Sequence, residues 1–252
     1  MLEIISGAIV VNKTIEIRSS IELPANREVI KLKTEDGLEL VGELAMPING
    51  KPDATLVTLH PLPTHGGFMD SHILRKAANR LPELANIAVL RFNTRGTSSP
   101  HGTSEGVFGE GVTERHDLEA ALKFAADRSL PNVWLVGWSF GTELALKYGF
   151  DKDVVGAILL SPPLHRAGDE DLDRWVGNPR KVVALVPELD DYLQPQEAAK
   201  RFARIDHLEL IGVDGAKHLW VGESATKRVL NEIVKAVNPA AYPLPETWSP
   251  RI

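Results

Sequence analysis

The strongest constraint on this chain is an alternation. Short β-branched apolar runs, among them ATLVTLH (54–60), IAVLRFN (87–93), VWLVGW (133–138), VVGAILL (154–160) and KVVALVP (181–187), are separated by helix-length amphipathic stretches. That order is the pattern of an α/β fold with a mostly parallel sheet, its buried strands covered by helices. Upstream, EVIKLKT (28–34) and LELVGELAM (38–46) flank Glu35-Asp36-Gly37, an acidic-Gly turn that predicts a hairpin and an antiparallel start to the sheet. HLELIGV (207–213) makes the eighth strand. Helices are expected over 71–84, 112–128, 140–150, 195–205 and 223–237, where apolar residues recur on one face. Residues 1–26 precede the pattern as an extension. The tail NPAAYPLPETWSPRI (238–252) holds four prolines, which cannot continue the last helix, and is expected to wrap the body or contact a partner. With no repeat and no linker, residues 1–252 read as a single domain.

Composition excludes several functions. The chain has no cysteine, which removes disulfides, thiolate metal sites and cysteine nucleophiles, and suits a cytoplasmic protein. No stretch approaches 18 consecutive apolar residues, so no membrane span is expected. The opening MLEIISGAIVVNK carries an acidic Glu3 where a secretory signal is basic, and reads as part of the fold. A net charge of −6 argues against a nucleic-acid partner.

Gly-x-Ser-x-Gly occurs twice, at GWSFG (137–141) and GTSEG (102–106). Context separates them. Ser139 follows the run VWLV and precedes ELALKYGF, whose apolar residues share a helical face. Strand, sharp turn with serine, then helix is the setting of a nucleophile elbow. Gly137 and Gly141 allow the close approach of strand and helix that such a turn needs. Ser104 lies in the polar loop 94–111 with no strand before it, and reads as an exposed loop serine.

A serine hydroxyl needs a base to take its proton and an acid to orient that base. In this setting the chain order is Ser, Asp or Glu, then His, each at the carboxyl end of a strand. Three histidines follow Ser139. His207 begins a strand, and His165 precedes any suitable acid. His218 follows HLELIGV directly and is the expected base. The acid is expected in PELDDYLQP, after KVVALVP. Asp190 is favoured because it comes earlier, while Asp191 stands as the alternative or as a cap for the helix near Pro195. Two backbone N–H groups are needed to hold an oxyanion. Phe140, after the serine, supplies one. In HPLPTHGG (60–67), Pro61 and Pro63 have no N–H, so Leu62 supplies the other.

The ordered motifs HPLPTHGG, LRFNTRG, GWSFG, ELDDYLQP and GAKHLWVG resemble those of the α/β-hydrolase superfamily, and most of all its small, lid-poor members near dienelactone hydrolase. The resemblance spans roughly residues 28–237. It implies a three-layer sandwich with a mostly parallel eight-stranded sheet, antiparallel strands at the N-terminal edge and no large cap domain. It also implies Ser139, Asp190 and His218 as the catalytic triad, with Leu62 and Phe140 as the oxyanion hole. Two departures stand out. Leu62 replaces a second histidine common in the first motif, and Thr97-Ser98-Ser99 stands where another glycine is usual.

Other sites carry less. His60, His65 and His72 lack a metal-binding pattern and read as loop and helix-cap residues, so no metal is expected. Arg91 and Arg95 read as structural partners of carboxylates. His165, Leu219 and Trp220 are expected to line the pocket, as are Phe140 and, unless it is core, Trp138. The 163–179 connection is too short for a cap domain, which leaves loop 94–111 as the candidate gate. The expectation is a serine hydrolase acting on a small carboxylic ester, thioester or lactone, without a cofactor. A non-catalytic binding relative is the alternative, and the extension or the tail is the candidate contact of a homo-oligomer.

Overall fold

The structure is a computed structural model that describes residues 14–18, 20–150 and 153–250, together with the backbone of a short antiparallel pair, Ile4–Ile5 with Ala8–Ile9. The reading of the opening stretch as part of the fold otherwise lies outside the described residues. Eight strands form one sheet: β1 (Asn26–Lys33), β2 (Glu39–Met46), β3 (Ala54–Leu59), β4 (Ile87–Phe92), β5 (Val133–Trp138), β6 (Val154–Leu160), β7 (Lys181–Pro187) and β8 (Leu208–Val213). Their spatial order is β8-β7-β6-β5-β3-β4-β2-β1. β2 runs antiparallel to both β1 and β4, and every other pairing is parallel.

The continuous apolar runs are explained by burial on both faces. Along β5, Val133 and Leu135 enter one core with α2 (Glu114–Asp127), α3 (Phe140–Tyr148) and α5 (Pro195–Phe202). Trp134, Val136 and Trp138 enter the other, with α1 (His72–Ala85) and α6 (Glu223–Val237). Alternate residues thus serve opposite layers, as the two-residue period of a strand requires.

Two features differ from the sequence reading, and the tail follows one of its two expectations. The 163–179 connection is not wholly irregular but contains a short helix, α4 (Asp169–Asp173), whose Leu172 is buried. The helix from 140 stops at Tyr148, and the one from 195 stops at Phe202. The tail wraps the body: Thr247–Trp248 pairs antiparallel with Ile15–Glu16, and Trp248 Nε1 donates to Glu83 Oε1 at 2.9 Å. The extension and the tail therefore bond to each other within the chain.

Candidate active site

β5 ends at Trp138 and α3 begins at Phe140, which leaves Ser139 alone on the turn. Its backbone stands at φ 52° and ψ −117°, a conformation that costs of the order of 1–3 kcal/mol. The flanking residues make the turn possible by lacking Cβ atoms. A Cβ on Gly137 would lie 2.4 Å from the Gly141 carbonyl oxygen, and one on Gly141 would lie 2.1 Å from that of Leu59. The Ser139 N–H donates to Leu160 O at 2.8 Å, tying the turn to the end of β6.

Three side chains predicted from distant parts of the chain meet here. Ser139 Oγ lies 2.9 Å from His218 Nε2. His218 Nδ1 lies 2.9 and 3.1 Å from the two carboxylate oxygens of Asp190. Asp190 is buried, and its Oδ1 also accepts the N–H groups of Tyr192 at 2.8 Å and Leu193 at 3.3 Å. The carboxylate is thus aimed by its own loop, an arrangement that suits an imidazole donating through Nδ1 and accepting a hydrogen bond from the Ser139 hydroxyl at Nε2. Asp191 is exposed, and Gln194 is the residue that precedes α5, with no side-chain cap. It is Asp190, not Asp191, that bonds His218, and Asp191 does not cap α5.

The Leu62 and Phe140 N–H groups, both beside the cleft, donate to no acceptor among the described residues. The loop that carries Leu62 folds back on itself: His65 and Gly67 both donate to Leu62 O at 3.0 Å. His60 pins its start. Nδ1 donates to Pro61 O at 2.7 Å, and Nε2 accepts the Thr94 N–H at 3.1 Å. Complete burial pushes its pKa down to about 4, so the ring is neutral near pH 7. His60 is therefore a core pin and not a loop or cap residue. His72 starts α1, while His65 is exposed, and the three do not converge. Elsewhere, Glu35, His116 and Glu119 bring ligand-type atoms within 4.8 Å of one another, outside the cleft.

The cleft has a volume of about 310 Å³. Phe140, His165 and Leu219 line it as expected, and Glu143, Arg166 and Tyr192 join them. Trp220 does not. It is fully buried in the α1–α6 core, with a φ of 51°, while Leu219 stays exposed. Trp138 is likewise buried. Glu143 is a residue that the sequence reading missed, although its place one helical turn after Ser139 was a usable signal.

Loop 94–111 is pinned, which argues against a gate. Glu114 accepts the N–H groups of Gly109 at 2.7 Å and Gly111 at 2.8 Å. Ser104 is buried, not exposed: its hydroxyl donates to Asn93 O at 2.8 Å and accepts the Val41 N–H at 2.9 Å. Arg95 joins Asp117 and Asp36, and Arg91 joins Glu43 and Asp70, as structural pairs. The hydrogen bonds from Arg95 hold Asp36 well below the usual carboxylate range, whereas burial raises the pKa of Asp117.

No lid covers the cleft among the described residues, and no helix is long and apolar enough to cross a membrane. No protein-family model matches the chain, and no curated protein matches its sequence. Solved structures do. An α/β serine hydrolase without a lid from Xanthomonas campestris is 25% identical, with a TM-score of 0.72, over 89% of this chain and 99% of its own. An α/β serine hydrolase homologue from Coxiella burnetii is 23% identical, with a TM-score of 0.69, over 82% and 96%. An esterase from Pyrococcus furiosus is 18% identical, with a TM-score of 0.65, over 85% and 94%. These likenesses support a hydrolase. The chain is an α/β-hydrolase by fold, similar to an α/β serine hydrolase without a lid.

Proposed function

We propose that the protein is a serine hydrolase that cleaves a small carboxylic ester, thioester or lactone through an acyl-enzyme intermediate. The observation that carries this reading is the unbroken relay of Ser139 Oγ, His218 and Asp190, with 2.9 Å at each link. Ser139 attacks the carbonyl carbon while His218 Nε2 takes its proton. The negative charge that develops on the carbonyl oxygen is held by the N–H groups of Leu62 and Phe140, a contribution worth roughly 10²–10³ in rate per donor. His218 then gives the proton to the leaving alcohol, thiol or ring oxygen, and the tetrahedral centre collapses to the acyl-serine. A water, deprotonated by the same imidazole, releases the acid and restores Ser139. Asp190 keeps the imidazole in the tautomer that both half-reactions need.

The open cleft favours short acyl chains, because no lid among the described residues covers a long one. The test is a fluorophosphonate probe read by intact mass, followed by a panel of p-nitrophenyl esters of increasing chain length. One adduct on the wild type and none on Ser139→Ala is the expected result. No adduct on the native protein would favour the alternative of a non-catalytic binding protein, and a strong long-chain optimum would contradict the short-chain reading. Asp190→Asn is expected to abolish turnover and Asp191→Asn to leave it, and the reverse would move the acid to Asp191.

A further inference from the structure

The loop after β8 that carries His218 has exposed neighbours, Leu219 and Val221, yet its backbone is held at the base itself. The carbonyl oxygen of His218 accepts two hydrogen bonds, from Trp138 Nε1 at 3.1 Å and from Ser161 Oγ at 3.0 Å. The next carbonyl, of Leu219, accepts His72 Nε2 at 2.7 Å. The His72 ring also meets the Trp138 ring edge-on, with 5.3 Å between centroids. These donors come from the end of β5, the residue after β6 and the first residue of α1. Trp138 is the residue before the nucleophile. One hydrogen bond therefore ties the side chain of the residue next to Ser139 to the backbone of its base.

We propose that Trp138, Ser161 and His72 are positioning residues, a latch that fixes the His218 backbone so that its imidazole stays within reach of Ser139. The inference rests on the serine-hydrolase reading above. The latch has a mate on the other side: the Trp220 indole is buried in the α1–α6 core, and Trp220 N–H closes a turn onto Lys217 O at 2.9 Å. Ser161 itself is buried, with φ 50° and its N–H donated to Leu185 O at 2.9 Å, so its hydroxyl has a fixed origin. Neither Trp138 nor Ser161 lines the cleft, and His72 does not either. Their effect on turnover passes through His218.

The decisive variant is Trp138→Phe with Ser161→Ala, which keeps the ring and removes both donors to the His218 carbonyl. A displacement of the order of 1 Å costs about a hundredfold in rate. We expect kcat on p-nitrophenyl butyrate to fall by about tenfold to a hundredfold while KM moves by less than about twofold. Labelling of Ser139 by the fluorophosphonate slows in parallel. The low-field proton resonance of His218 Nδ1–H, present in the wild type, broadens or moves in the variant. A folded double variant with kcat within about threefold of wild type and an unchanged resonance overturns the proposal. If that variant does not fold, His72→Gln and His72→Leu decide. Glutamine keeps a donor for Leu219 O and restores kcat, and equal kcat in the two overturns the latch. The resonance reports the position of His218 without turnover. An unlabelled wild type whose resonance still responds to the variant sinks only the hydrolase reading.

Discussion

Gly141 leaves no room for a side chain beside the candidate nucleophile. A Cβ built there lies 2.1 Å from Leu59 O, 2.5 Å from Leu59 C and 2.9 Å from Leu59 Cβ. Ordinary contact begins near 3.4 Å, so Gly141→Ala demands a displacement on the order of 1 Å. The obstructing atoms belong to the backbone of β3, which is bonded to β4 and β5 on both sides and cannot swing aside as a side chain would. β3 continues directly into His60 and Leu62, while α3 begins with Phe140, so either adjustment spreads the two proposed oxyanion donors. Overpacking of this kind costs up to about 3 kcal/mol. At about 2–4 °C per kcal/mol for a chain of this size, the melting temperature falls by roughly 6–12 °C. A donor misplaced by about 1 Å adds a loss of about a hundredfold in kcat. Gly168→Ala is the control, since nothing lies within 4 Å of its Cβ and its φ is −95°. Urea melts followed by tryptophan fluorescence, with initial rates on p-nitrophenyl acetate, measure both effects. Gly141→Ala within about 1 kcal/mol of wild type and within about threefold in kcat would refute the reasoning.

Three further outcomes are expected. Ser139→Gly and Ser139→Ala both lose the proposed nucleophile, but glycine accepts the φ of 52°, so it should be the more stable of the two by about 1 kcal/mol once its entropy cost is subtracted; a less stable glycine variant in a urea melt counts against strain at the elbow. His60 has a folded pKa of about 4 against 6.5 when free, so the unfolded state takes up its proton first. Its contribution, at most about 3 kcal/mol, is present above pH 6.5, falls as the pH drops and is gone below about 4. A wild-type minus His60→Asn stability difference that stays flat between pH 7 and 4 would contradict this. Arg95→Leu strands Asp117, which is wholly buried, and should cost about 3–5 kcal/mol; adding Asp117→Asn should recover part of that, and no recovery would mean the pair is not the cause.

The central strands were legible because burial on both faces writes itself as uninterrupted apolarity, which is a local property of each run. The elbow was legible for a related reason: a strand, a tight turn and a helix are contiguous, and Gly137 and Gly141 mark the close approach. Asp190 and His218 could be ranked because each follows a strand end in a fixed order. Other features depend on partners far along the chain. Ser104 reads as an exposed loop residue, yet it is buried because Val41 N–H and Asn93 O need its hydroxyl. Loop 94–111 reads as a gate until Glu114 is seen holding two of its amides. Leu219 and Trp220 are neighbours in sequence, yet one lines the cleft and the other is buried in the α1–α6 core. The amino-acid sequence by itself determined the layers, the strand edges and the candidate nucleophile, because hydrophobic periodicity and turn chemistry act over a few residues. Tertiary structure alone decided how the cleft is walled and how its histidine is held, because those depend on hydrogen bonds between groups that meet only after the chain has folded.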